Sequence, residues 1–116
     1  MTKSDIAYLR HMAEYAAKAH AIAAGTTFEA FAASEVVQLA LQRAIEIVGE
    51  AANHVSVQVR ERFSDLPWAK IVGIRHRVVH EYFRIDQEIL WQVATVELAN
   101  LLPLLQQAIH AVEEEA

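Results

Sequence analysis

Three side chains near the middle of the chain could do chemistry together: Arg75, His80 and Tyr82, in an Arg-x4-His-x-Tyr pattern. A histidine takes up or gives away a proton near neutral pH. An arginine grips a phosphate through two hydrogen bonds and stabilises charge that builds on it. That pair suits RNA cleavage, in which RNA's own 2′-OH attacks the phosphorus and neither a metal nor a protein nucleophile is required. The products would be a 2′,3′-cyclic phosphate or 3′-phosphate and a 5′-hydroxyl. On one regular helix, however, positions five apart lie about 140° apart, so Arg75 and His80 would not converge. Arg75 and Tyr82 would share a face. A symmetric dimer would let two copies of the segment meet in one groove.

Other polar residues could support such a site. Arg43, Glu46, Glu50 and Asn53 are spaced three, four and three, a polar strip along one helix face. It reads either as an exposed stripe with an Arg43–Glu46 pair or as the wall of a cleft that orients basic groups. Gly49 within it costs about 1 kcal/mol against alanine, which a close helix approach would explain. His76 and His80 are four apart, acceptable for a zinc pair, but a third ligand would have to come from Glu46, Glu50 or His54. With no cysteine, no His-Glu-x-x-His and no Glu-x-x-His motif, neither a metal nor any other cofactor is expected. His11, His20, His54 and His110 read as ordinary surface or half-buried histidines. Trp68 and Trp91 read as core anchors rather than base-stacking platforms.

The chain that must position these groups has 116 residues, enough for one domain with a real core. Its 54% hydrophobic content excludes a mostly disordered chain, and its 3 Gly and 2 Pro disfavour a turn-rich β-sandwich or a phosphate-cradling glycine loop. No run of 18 apolar residues and no signal-peptide pattern is seen, so a soluble cytoplasmic protein without a membrane partner is expected. The net charge of −5 argues against nonspecific coating of nucleic acid. Yet four of the ten bases, Lys70, Arg75, Arg77 and Arg84, fall in the segment 70–84 against one acid, Glu81.

Hydrophobic periodicity predicts helices throughout. The first spans about Ser4 to Ala24, capped by Ser4 or Asp5, with Ile6, Leu9, Ala13, Ala16 and Ala17 as its stripe. A short helix through Ala33 follows, with Thr26 and Glu29 as a capping box. Ser34 caps a helix over about 35–62, with Val37, Leu41, Ala44, Val48, Ala51 and Val55 inward. Another starts near Pro67 and runs to about Tyr82, burying Ile71, Ile74 and Val78. Asp86 caps the last, in which Pro103 predicts a kink or break. Four long helices with short connections predict an all-α, up-and-down four-helix bundle with an extra short helix.

Taken together, Gln42–Ala52, Leu66–Trp68, Gly73–Phe83, Ile85–Asp86 and Trp91 make the chain resemble the HepT-like branch of the HEPN domains over nearly its whole length. The resemblance implies a homodimeric helical domain and a metal-independent endoribonuclease toxin, acting on RNA and not DNA. It implies Arg75 and His80 as the catalytic pair, in a cleft lined by both chains. It also implies an MntA-like nucleotidyltransferase antitoxin that transfers AMP to Tyr82. An AMP group there would add bulk and negative charge beside Arg75 and block the cleft. The sequence departs from the family at position 76, where His76 replaces the usual Asn. His76, Glu46, Glu50 and Arg43 are the expected auxiliary residues. The rival expectation is a non-catalytic subunit that partners or activates the nucleotidyltransferase. A purely RNA-binding role is a third, disfavoured by the net charge.

Overall fold

The computed structural model describes residues 3–79 and 85–115. Among them are eight α-helices and one π-helical stretch: α1 Lys3–Ala24, α2 Phe28–Ala32, α3 Glu35–His54, α4 Val57–Arg62, α5 Trp68–Val72, α6 Ile74–Val78, α7 Gln87–Gln92, the π stretch Val93–Glu97 and α8 Leu98–Glu114. No strand occurs among the described residues; Val79 and Ile85 form an isolated antiparallel bridge.

The long helix α1 lies against both α3 and α8. Its buried stripe is Leu9, Met12, Ala16, Ala19 and Ala23, while Ala17, expected inside, is exposed. Alanines on that stripe let the helices approach closely. From α3 the core takes Leu41, Ala44, Ile45, Val48, Ala51 and Ala52, and from α8 Leu98, Leu101, Leu105 and Val112. Phe31 is fully buried and meets the Trp91 ring at 5.1 Å, so Trp91 anchors the core as expected. Trp68 is buried too, and its indole N–H donates to the Phe63 carbonyl at 3.0 Å. By length and mean hydropathy, the 28 residues Gln87–Glu114 could cross a bilayer. Here that stretch supplies one wall of the core.

Several predicted boundaries move, each for a local reason. Thr27, not Thr26, caps α2 by accepting from the Ala30 N–H at 3.2 Å. Ser34 caps α3 as expected, accepting from Val37 N–H at 3.2 Å. The helix predicted over 35–62 stops at His54. Ser56 caps a new helix, α4, and Asp5 reaches across from α1 to fix that cap. Its carboxylate accepts from the Ser56 N–H at 2.9 Å and the Ser56 hydroxyl at 3.1 Å. From the first turn of α1, Asp5 thereby secures the start of α4. Arg60 closes the other side, donating to the carbonyls of Ala52, Asn53 and Val55 at the end of α3.

The predicted 67–82 helix is split at Gly73 into α5 and α6, and α6 ends at Val78. Pro67 sits at the N-cap of α5 rather than within its first turn. Asp86 caps α7 as expected, accepting from Ile89 N–H at 3.0 Å. Of the kink or break predicted at Pro103, the break does not occur: α8 runs through it. The irregularity lies upstream, in the π stretch. There the Leu98 N–H reaches back to the Val93 carbonyl. Two side chains occupy carbonyls of that stretch and its approach: Thr95 donates its hydroxyl to the Trp91 carbonyl at 2.7 Å, and the His20 ring Nδ1 lies 3.3 Å from the Ala94 carbonyl.

Candidate functional site

Arg75 stands on the second residue of α6. Its side chain is 60% exposed, and its Nε lies 3.8 Å from Glu46 Oε1 on α3. Glu46 is much less exposed and gathers the local polar groups. Its Oε1 accepts from Gln42 Nε2 at 3.1 Å, and its Oε2 lies 3.6 Å from Arg43 Nη1. Arg43 also lies 3.6 Å from Glu50 Oε1. The strip expected along α3 thus forms a charge ladder. Arg43 separates the two carboxylates, and Glu46 faces Arg75. Asn53 enters only through its carbonyl, which Arg60 occupies. His76 is exposed beside Arg75.

Gly49 is what lets these elements meet. A Cβ on it would lie 3.1 Å from the Ile71 carbonyl and 3.1 Å from Ile74 Cγ2. The backbone of α5 and the first residue of α6 therefore rest directly on α3. Ile71 and Ile74 seal that contact by burial. Glycine in mid-helix, unfavourable locally, is retained by this approach.

His80 and Tyr82 lie outside the described residues, as do Glu81, Phe83 and Arg84. The helix end at Val78 still changes the geometry argued from spacing. The 140° separation of Arg75 and His80, and the common face of Arg75 and Tyr82, presumed one helix through both positions. Since α6 stops at Val78 and Val79 is extended, neither angle applies.

Arg77 has a separate partner that spacing did not reveal. Its guanidinium donates from Nη1 to Glu97 Oε1 and from Nη2 to Glu97 Oε2, each at 2.7 Å. The hydrogen bonds from Arg77 hold the Glu97 carboxyl below the ordinary carboxylate range. Partial burial opposes them, and the positive charges of Arg77 and Lys70 add to them. An arginine 20 positions from a glutamate leaves no periodic trace, so only the tertiary fold could show the pair.

No group of three or more metal-ligating side chains occurs among the described residues. Of the other histidines, His11 is exposed, His54 stacks on Tyr8 with centroids 5.0 Å apart, and His110 Nε2 lies 3.0 Å from Glu114 Oε1. A groove between α5 and α8 is lined by Lys70, Ile71, Ile74, Glu97 and Leu101, among others, and is mostly apolar. Arg75 is not part of it. The Arg75–Glu46 cluster is instead an open surface, which a single chain does not enclose.

The fold and the cluster define a class: an all-α domain that presents an exposed arginine from a short helix braced on a longer one. Comparison with known proteins places it more narrowly. The family described as Ribonuclease HepT-like matches residues 12–108, and the chain belongs to that family. It is 36% identical over 77 residues to a candidate RNase of Caldanaerobacter subterraneus subsp. tengcongensis, covering 66% of this chain and 69% of that protein. A candidate RNase of Methanocaldococcus jannaschii is 30% identical over 102 residues, 87% of this chain and 94% of its own. A protein of Thermococcus cleftensis named a probable ribonuclease HepT is 28% identical over 101 residues, 87% of this chain and 92% of its own. No solved structure matches significantly.

Proposed function

We propose that this chain is a metal-independent endoribonuclease and the toxin of a toxin–antitoxin pair. Membership of a ribonuclease family supports the reaction class. The observation that carries the site is the exposed Arg75 guanidinium, held on α6 with a carboxylate behind it and solvent in front. Arg75 binds the scissile phosphate and stabilises its growing charge. His80 moves the protons: one is taken from the attacking 2′-OH, and one is given to the leaving 5′ oxygen. The 2′-O–P bond forms and the P–5′-O bond breaks, leaving a 2′,3′-cyclic phosphate and a 5′-hydroxyl. Glu46, with Arg43, Glu50 and Gln42, orients Arg75 without touching RNA. His76 is an auxiliary contact.

The working unit in this reading is a homodimer of up-and-down helical domains. Two features support a second copy. The Arg75 surface is open, and the outer face of α3 leaves Val36 and Leu39 exposed. Control comes from an MntA-like nucleotidyltransferase that adenylylates Tyr82, and the pair works in the cytoplasm on RNA. Purified chain and its His80→Ala variant, incubated with labelled RNA in EDTA, test the reaction. Cleavage by the parent alone, with cyclic or 3′-phosphate ends, is expected. Absence of cleavage by a folded parent, or equal cleavage by the variant, overturns the assignment.

A further inference from the structure

The motif segment contains two arginines in different circumstances. Arg75 is 60% exposed, and its nearest carboxylate oxygen, at 3.8 Å, lies beyond hydrogen-bond distance. Arg77 is half-buried, and both prongs of its guanidinium are occupied by Glu97 at 2.7 Å. A planar fork matched to a planar carboxylate fixes direction as well as distance.

That fixing matters because α6 has little of its own. It is five residues long, with no side-chain N-cap and glycine at its start. A helix that short is not stable alone. Its axis is held by burial of Ile74 and Val78 against the core. Burial of these two side chains sets which face of α6 points inward, and the Arg77–Glu97 fork fixes that rotation more closely. Glu97 itself is placed by the π stretch that it ends, a backbone feature pinned by Thr95 and His20.

We propose that Glu97 is a positioning residue of the ribonuclease: its two-pronged bond with Arg77 sets the rotation of α6, turning Arg75 outward and withholding Arg77 from RNA. The proposal rests on the ribonuclease reading above. Of the two motif arginines, then, one serves the substrate and the other serves the fold of the site.

The test is steady-state RNA cleavage by the full chain, with Glu97→Gln, Arg77→Gln and the double variant beside the parent and His80→Ala. Helical content is checked for each. Positioning predicts that Glu97→Gln lowers kcat about tenfold, equivalent to about 1.4 kcal/mol, with KM changed less than about twofold. The double variant should lose no more than either single one, because both break the same bond. If Arg77 instead binds RNA, Arg77→Gln raises KM, while Glu97→Gln frees the arginine and lowers it; that pattern overturns the proposal, as does an unchanged kcat in Glu97→Gln. Should Glu97→Gln fail to fold, Glu97→Asp, with its charge kept and its reach shortened, is judged by the same outcomes. A folded parent that does not cleave RNA removes the ribonuclease reading and this proposal with it. An active parent whose Glu97 variants match it removes the proposal alone.

Discussion

Arg75 and Arg77 are two positions apart on one short helix, yet their surroundings divide them. The Glu46 carboxylate near Arg75 is shared with Gln42 and Arg43, so Arg75 keeps hydrogen-bonding capacity for a phosphate. Glu97 gives both oxygens to Arg77. This difference has a pH signature. Bonding by Arg77 puts the Glu97 pKa below its ordinary value of 4.5 in the folded protein. A carboxyl with a lowered folded pKa stabilises the fold above its unfolded pKa, and that contribution is lost as pH falls through the folded value. The urea midpoint of the parent should therefore exceed that of Glu97→Gln at pH 7, and the gap should close as the pH is taken below about 4. A gap that persists unchanged into acid would assign the stabilisation to something other than the ionised pair. Both side chains are partly exposed, so screening keeps the gap modest.

Gly49 decides how the elements carrying the site fit together. Alanine there would bring a Cβ to 3.1 Å from the Ile71 carbonyl and from Ile74 Cγ2. Helix propensity would gain about 1 kcal/mol, while forcing α3 off α5 and α6 would cost about 1–3 kcal/mol. Thermal stability should therefore change little or fall modestly. Cleavage should fall much further, because Arg75 follows Ile74 directly. Gly49→Ala with full activity and unchanged stability would show that the contact does not set the site. The glycine was visible in the sequence as a local misfit, and its reason became visible only in the packing. The same holds for the break points. Periodicity identified the helical character of nearly every segment, and Ser34 and Asp86 were readable as caps because their partners lie three residues on. The break at Ser56 was not readable, since the group that secures it is Asp5, 51 residues away in sequence. Nor was the π stretch, whose carbonyl partners come from His20 and from a threonine with no distinctive spacing. Arg43, Glu46 and Arg75 were legible as site candidates from type and helical spacing. Arg77 was legible only as charge, because its role depends on a tertiary partner.

At the scale of the molecule, the chain measures 46 × 29 × 20 Å, and the Arg75 cluster lies open on its surface. A polar cluster this open gains an enclosed site most simply by apposing two copies across a twofold axis. If each reaction centre joins Arg75 of one chain to His80 of the other, two inactive variants should rescue each other. In a mixed dimer of Arg75→Ala and His80→Ala chains, one centre carries both lesions and the other carries neither. Random exchange makes about half of the dimers mixed, each with one intact centre, so about a quarter of parental activity should return. Co-refolding the two variants in equal amounts and assaying RNA cleavage measures this directly. Activity that stays at the level of the separate variants, with mixed dimers demonstrated by differential tags, would mean that each centre draws its arginine and histidine from one chain. The dimer would then enclose a site that each copy already contains, and the task of turning Arg75 toward its histidine would fall on α6 alone.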